Sequence, residues 1–412
     1  MDASRSQDSG KDAGRAADKA SFVSQLGPLL FLTTIFFINF VGRIVPAPLL
    51  PSIETDLGIA HAEAGSFFLL TSMGYFIALL CSGFVSSRLN HRRTIVVSAV
   101  SVGGALICVS LCHSLWIMRA ALFVVGMSAG IYLPSGIAAL TSLIDPRHWG
   151  KAIAVHELAP NLGFVAAPLL AEAFMIWFSW RGVIVFLGVS SIMAGAAFHF
   201  WGRGGDFPGE SPNFGALKNL FAERVFWIMA VLFCLGICGT LGIYTMLPLY
   251  LVIDQGFNRN WANTLVALSR IPSVFMALVA GWLSDRFGPR MTIASVFLIT
   301  GLLTILLGTV SDAWIVALVF LQPVIAACFF PPGFAALSAI GPPSARNVSV
   351  SLTIPAAFVF GGGVIPMGIG MMADMGFFDL GIALTGLVIL GGFILALFLK
   401  PGRSNSLAHR PS

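Results

Sequence analysis

Charge is what this sequence has least of: Asp, Glu, Lys and Arg make up 10% of its 412 residues, against 57% hydrophobic residues. A chain this apolar has too little polar surface to face water on all sides, so its composition is that of an integral membrane protein. Metal and redox chemistry are equally thin. The six cysteines (Cys81, Cys108, Cys112, Cys234, Cys238 and Cys328) all fall inside apolar segments without metal-like clustering. The i,i+4 pairs Cys108/Cys112 and Cys234/Cys238 read as packing residues. No His, Cys and carboxylate set has zinc spacing, Gly361-Gly362-Gly363 is not a phosphate loop, and no Ser/His/Asp arrangement can be argued in this topology. These absences argue against an enzyme, a metal, a cofactor and direct use of ATP. Period-2 alternation is missing as well, which excludes an outer-membrane barrel.

What is present is a series of twelve continuous apolar runs, at approximately 25–50, 64–86, 94–113, 115–143, 151–176, 182–202, 225–252, 261–284, 291–310, 313–340, 348–374 and 379–399. One crossing needs roughly 20 apolar residues. The expectation is therefore an all-α protein with twelve transmembrane helices. Residues 1–22, rich in Ser, Asp, Ala, Gly and Lys, are too polar to fold and too acidic for a signal-peptide n-region, so a disordered tail is expected there.

Basic residues are retained on the cytoplasmic side of a membrane. With the N-terminus inside, 18 of the 23 basic residues fall in cytoplasmic segments, among them Arg88, Arg92, Arg93, Arg147, Lys151, Arg203, Arg224, Arg286 and Arg290. Arg119, Arg181 and Arg259 fall near outer helix ends, while Arg43 and Arg270 are embedded. This predicts a multi-pass protein of the cell (inner) membrane with both termini cytoplasmic. The formal charge of +5 then follows from topology and calls for no nucleic-acid partner.

The chain repeats itself. Tyr132-Leu-Pro-Ser-Gly-Ile-Ala-Ala-Leu-Thr141 matches Phe329-Phe-Pro-Pro-Gly-Phe-Ala-Ala-Leu-Ser338, and Gly83-Phe-Val-Ser-Ser-Arg-Leu-Asn-His-Arg-Arg93 matches Gly281-Trp-Leu-Ser-Asp-Arg-Phe-Gly-Pro-Arg290, both at an offset of about 198 residues. Two six-helix halves, 23–202 and 224–400, are expected. The polar segment 203–223 would join them as a cytoplasmic linker, and 401–412 would form a second cytoplasmic tail.

Over essentially its whole length the sequence resembles the major facilitator superfamily. Gly281-x-x-x-Asp285-Arg286-x-Gly288-x-Arg290 is similar to that family's cytoplasmic-loop motif, which the resemblance implies holds one conformation through carboxylate and helix-end contacts. In the first half Arg88 and Arg92 occupy the corresponding loop, with Ser87 in place of the acidic residue and Asn90 in place of the glycine. Asn39-Phe-Val-Gly-Arg43 followed by Pro51-Ser-Ile53-Glu-Thr-Asp56-Leu57-Gly58 resembles the first helix of the anion:cation symporter and sialin-like branch. That likeness implies that Arg43 binds the substrate's anionic group. Gly42 stands where the branch has its aspartate. An eighth-helix arginine such as Arg270 is used by monocarboxylate, oxalate and nitrate transporters to hold their anions.

The physical reading of the arginines runs the same way. A guanidinium near mid-membrane costs from about 3 to more than 10 kcal/mol unless it faces a wet cavity, a counter-charge or an anion. At 1.5 Å per residue Arg43 and Arg270 lie roughly 27 Å and roughly 22 Å from the inner ends of their helices, at similar depth and one in each half. The alternative is a structural arginine satisfied by backbone carbonyls or a nearby acid. Asn39, Gln322, Tyr132 and Tyr244 are further candidate substrate contacts, with interhelical hydrogen bonding as the alternative, and Tyr75 also lies mid-helix. On the fifth helix Glu157, Asn161, Pro168 and Glu172 form one polar stripe at 100° per residue. Glu157 and its neighbour His156 are the proton-coupling candidates, packing or gating contacts being the alternative. Pro134, Pro331-Pro332 and Gly361–Gly363 before Pro366 read as hinges or close-packing sites.

Together these expectations describe a secondary active transporter of small organic anions, carboxylates first, working by alternating access, with protons as the candidate coupling ion, as a monomer in the lipid bilayer. A multidrug or lipophile exporter, or a facilitator-fold anion sensor or assembly factor that does not transport, are the alternatives.

Overall fold

A computed structural model describes residues 22–209, 221–311, 313–338 and 352–399. The tails expected at 1–22 and 401–412 lie outside these residues apart from Phe22, as do Glu210–Leu220 of the linker. Twelve helical spans follow one another: α1 (Gln25–Leu57), α2 (His61–Leu89), α3 (His91–Leu111), α4 (Leu115–Leu143), α5 (Pro146–Met175), α6 (Trp180–Trp201), α7 (Arg224–Ile253), α8 (Arg259–Phe287), α9 (Pro289–Leu307), α10 (Trp314–Ser338), α11 (Leu352–Asp374) and α12 (Phe378–Ala396). Lipid offers no partner for a backbone N–H or C=O, so a spanning segment must bond to itself, and there is no strand among the described residues.

The spans are interrupted where sequence weakens the ladder. Pro46 has no N–H to offer the Gly42 carbonyl one turn before it, and α1 breaks at Val45. In α4 the break is Ile131, just before Tyr132 and Pro134; in α10 a 3₁₀ turn at Ala327–Phe329 precedes Pro331. These two breaks fall at repeated positions. In α7 and α11 the interruption is a π-helical turn, at Cys238–Gly242 and Phe360–Val364, the latter directly ahead of Pro366.

The repeat is also visible in the backbone. Asn90 (φ 65°, ψ 165°) and Gly288 (φ 81°, ψ 153°) share one conformation between α2/α3 and α8/α9. Glycine reaches it freely, and Asn90 is the one non-glycine residue with positive φ among the described residues. Within each half the helices close on small residues: at Gly126 of α4 a Cβ would lie 2.0 Å from the Thr71 carbonyl of α2. The paired helices α3/α6 and α9/α12 pack equivalently in the two halves.

The halves meet through α1 on α7, α2 on α11 and α5 on α8. The segments that touch in α1 and α7 are Pro46–Leu57 and Ile243–Ile253, both on the side of the membrane away from the linker. That far side is closed. Along the interior stripe of α5 exposure rises toward the linker side, as expected of a cleft on that side: Glu157 and Asn161 are exposed, Phe164 is half-buried, and Pro168 and Glu172 are buried.

Candidate functional site

Arg43 stands just before the Val45 break, at the inner face of α1, with 8% of its surface exposed. Its guanidinium lies over three rings: Tyr75 of α2 at 4.2 Å, Phe40 one turn back on α1 at 5.2 Å, and Phe358 of α11 at 5.6 Å. Each such contact contributes roughly 0.5–2 kcal/mol. No carboxylate lies within ion-pairing distance among the described residues, and Nε is buried without a hydrogen-bond partner. Arg43 is thus held by aromatic faces with donor capacity to spare.

Arg270 is anchored differently. A π-turn carries one extra residue and loosens the helical ladder; in α7 the Gly239 and Thr240 carbonyls of that turn also accept side-chain bonds. The Arg270 Nη2 donates to the Thr240 carbonyl at 3.0 Å, and its guanidinium sits over Tyr244 at 4.8 Å and Phe164 at 4.9 Å. Its Nε is likewise buried and unbonded.

The two arginines flank one aromatic wall. Phe40, under Arg43, meets Phe164 edge-on at 5.1 Å; Phe164, under Arg270, meets Tyr244 edge-on at 4.8 Å. Phe164 belongs to α5 and Tyr244 to α7, and the Tyr244 hydroxyl donates to the Phe164 carbonyl across the two halves at 3.2 Å. Beside Arg43 is a cavity lined by Phe40, Phe68, Thr71, Ser72, Leu241, Thr245, Phe358 and Gly362, with about 20 Å³ open to the centre of a water molecule. One water takes about 10–15 Å³ on this measure, whereas an organic ligand needs a pocket of several hundred. The cavity is narrow and lined by Arg43 but not by Arg270, with two hydroxyl-bearing helices, α2 and α7, facing the gap.

The remaining sequence candidates divide. Tyr244 belongs to the wall. Asn39 is buried below Arg43 and donates to the Ala129 carbonyl of α4 at 3.5 Å. Gln322 is buried inside the second half, donating to the Gly239 carbonyl (2.8 Å) and to Thr304 (3.2 Å), where it locks the π-turn. Tyr132 is fully buried, its hydroxyl donating to the Leu32 carbonyl at 2.7 Å. The structure therefore places the last three in helix-to-helix bonds and not at the cavity. His156 is also wholly buried, its ring stacked on Phe36 at 4.5 Å and its Nε2 3.2 Å from the Tyr132 hydroxyl. Its Nδ1 lies 3.7 Å from Glu157, whose carboxylate is half exposed.

Glu172, the other end of the α5 stripe, has a separate task. It accepts two hydrogen bonds from Arg259 (3.0 and 3.2 Å) and one each from Asn263 (2.6 Å) and Asn260 (3.4 Å), all on α8. Asn263 also donates to the Pro48 carbonyl of α1 at 3.1 Å. This clasp, with Glu172 and Asn263 buried and Arg259 and Asn260 toward its rim, joins α5, α8 and α1 on the far side.

The two loops of the repeated motif differ. In the second half Gly288 adopts the positive φ, Arg286 lies over Trp282 at 5.5 Å, Asp285 is exposed without an ion pair among the described residues, and the Nε of Arg290 is buried and unbonded. In the first half Arg88 is exposed, and the missing acidic side chain has a stand-in from the linker. Asp206 pairs with Arg92 at 3.2 Å, while the first three N–H groups of α3 are capped by Phe207 O (3.2 Å), Gly205 O (2.8 Å) and Asn90 Oδ1 (2.9 Å).

Sequence reasoning missed Phe40, Phe164, Phe358, Thr240 and the clasp. Two had a signal: Phe40 lies one helical turn from Arg43, and Phe164 falls on the Glu157–Asn161–Pro168 stripe. Thr240 and Phe358 had none, because a π-turn and a contact between halves leave no local pattern.

The family model of the Major Facilitator Superfamily matches residues 32–269 and 260–411. Among individual proteins, the chain is 23% identical over 261 residues to the multidrug resistance protein MdtL of Klebsiella pneumoniae (strain 342), covering 61% of this chain and 66% of that protein. It is 21% identical over 345 residues to the 4-hydroxybenzoate transporter PcaK of Pseudomonas putida, covering 72% and 75%. Its fold matches the crystal structure of a bacterial homologue of the human lysosomal transporter Spinster with a TM-score of 0.76 at 17% identity, over 90% of this chain and 95% of that one.

Proposed function

The chain belongs to the major facilitator superfamily, and from that premise we propose that it is a secondary active transporter of small organic anions, carboxylates first, working by alternating access. One observation carries the reading: two buried guanidiniums, one from each half, flank a shared aromatic wall with no acidic partner among the described residues. Uncompensated positive charge at mid-membrane attracts an anion and repels a cation. An arginine fork takes a carboxylate bidentately, and an anion bridging both arginines draws the halves together.

The wall favours a planar, aromatic carboxylate over an aliphatic one. A ring inserted between Phe40, Phe358 and Tyr75 replaces edge and face contacts like for like, and the hydroxyls of Thr71, Ser72 and Thr245 suit ring hydroxyl groups. The likeness to a 4-hydroxybenzoate transporter points the same way.

In this reading the linker side is cytoplasmic, as the basic residues require, so the structure is inward-open with its far side clasped. Glu157, in the cytoplasmic cleft and next to His156, carries the coupling proton. Glu157→Gln is expected to abolish accumulation driven by a pH gradient while counterflow exchange persists; unchanged pH-driven accumulation would assign coupling to another group. The protein works as a monomer, since the whole site lies within one chain.

The test of the main reading is uptake into proteoliposomes of labelled benzoate, 4-hydroxybenzoate, acetate and succinate, with and without a pH gradient. Saturable uptake of the aromatic acids is expected. A cationic dye carried in their place would favour the exporter reading that the MdtL likeness suggests. Tight binding without flux would favour a sensor.

A further inference from the structure

The far mouth of the molecule contains a second constellation, apart from the arginines and the Glu172 clasp. α2 begins at His61, and its first two N–H groups, His61 and Ala62, donate to the two carboxylate oxygens of Asp374 at 2.8 and 2.9 Å. Asp374 is the last residue of α11, in the opposite half. The approach is close along the whole turn: at Gly370, one turn back on α11, a Cβ would lie 2.4 Å from the His61 carbonyl. The His61 ring points to its own half, where Nδ1 lies 3.0 Å from both oxygens of Glu54 at the end of α1. Glu54 is 8% exposed.

Closing the far side therefore brings the Asp374 carboxylate up to a residue already paired with a buried carboxylate. With a neutral imidazole, closure gathers two negative charges around one helix start, relieved only by N–H dipoles. With a protonated imidazole the Glu54 charge is paired, and the Asp374 carboxylate approaches the helix start without that repulsion. The surroundings do not supply that charge. On α2 itself Glu63 is acidic and caps the Ala60 N–H; α12 contributes Asp379, beside the Phe378 ring that His61 touches at 5.9 Å; on α1 Asp56 is taken by Arg181, which His113 also contacts. Arg119 of α4 is bonded to Ser66, one turn along α2. The mouth has an excess of carboxylates, and His61 is the group placed between the halves that gains charge on protonation.

We propose that His61 is the proton-linked latch of the far gate: its protonated ring neutralises Glu54, so that the backbone N–H groups of His61 and Ala62 can hold the Asp374 carboxylate and keep α2 on α11, and loss of the proton leaves the two carboxylates to repel each other and release the gate. This rests on the reading that the halves rock between two states, but not on what is carried. Protons on the far side then favour the state in which the linker side is open, which gives an inward-directed proton gradient a handle on the conformational equilibrium separate from Glu157.

The test is the distance between spin labels placed by unnatural amino acids at the exposed residues Ala60 and Met375 of the full chain in lipid nanodiscs. In the unsubstituted protein the ratio of closed to open populations is expected to fall roughly tenfold or more from about pH 5.5 to about pH 8. His61→Gln, which keeps a donor but cannot charge, is expected to remove that pH response. Glu54→Gln, which takes away one of the two negative charges, is expected to stay closed at both values. A pH-independent ratio in the unsubstituted protein, or a full response surviving in His61→Gln, overturns the latch. Should His61→Gln not fold, Glu54→Gln decides alone, since opening at the higher pH contradicts the charge argument. Failure of anion uptake would leave these distances unchanged, so the two readings fail separately.

Discussion

Arg43 and Arg270 sit at comparable depth in the two halves, yet one is anchored and the other is not. Arg270 gives a donor to the Thr240 carbonyl in the π-turn of α7. Arg43 rests on three rings. The same residue type thus meets two environments: in the second half one donor is committed to a backbone carbonyl, while in the first the guanidinium rests on rings with its Nε unbonded. An asymmetric site of this kind would seat the anion on Arg43 and complete the grip from the other half.

That asymmetry can be broken directly. Arg43→Lys keeps the charge and loses the planar fork, so uptake in proteoliposomes should fall about 100-fold, the equivalent of roughly 3 kcal/mol. Arg270→Lys should fall only about tenfold, because a donor already spent on Thr240 has less to lose. Equal losses would mean that both arginines grip the anion alike. The next effect is on the clasp: Glu172→Gln leaves Arg259 without its buried counter-charge, and far-side labels should become accessible as closure weakens by about 1–3 kcal/mol. If accessibility is unchanged, the Asp374 contacts close the gate unaided.

A thermal measurement sharpens the contrast between the arginines further. Arg43→Met should leave the melting temperature level or raise it, since an unpaired buried charge is replaced by packing, whereas Arg270→Met should destabilise by about 1–2 kcal/mol through loss of its bond to the Thr240 carbonyl. Identical shifts would deny the difference in anchoring. The smallest change expected is at the loops. Asp206→Asn removes an exposed ion pair worth about 0.5 kcal/mol, so stability should barely move, because three capping hydrogen bonds to α3 remain.

Much of this was legible before any coordinates. Twelve apolar runs gave twelve helices, since lipid leaves a chain few other choices, and the repeat gave matching breaks at Ile131 and Ala327–Phe329 and matching backbone at Asn90 and Gly288. Arg43 and Arg270 were conspicuous because charge in an apolar run is costly wherever it falls. Their surroundings were not legible: Tyr132, Asn39 and Gln322 look as polar from the sequence as Tyr244 does, and only packing separates an interhelical bond from a wall residue. The α5 stripe was read as one surface, but it runs from open cleft to closed gate, so Glu157 and Glu172 meet different environments. Asp206 standing in for the acid missing at Ser87 was invisible, because the two are far apart in the chain.

By itself the sequence determined the spans, the two-fold repeat and the cost of burying two guanidiniums, because hydrophobic length and charge desolvation are properties of local composition. Only the tertiary structure decided which aromatic faces those guanidiniums meet, which carboxylates become gate contacts, and which side is closed. Those depend on how one half of the chain lies against the other, and contacts between residues about 200 positions apart carry no local signature.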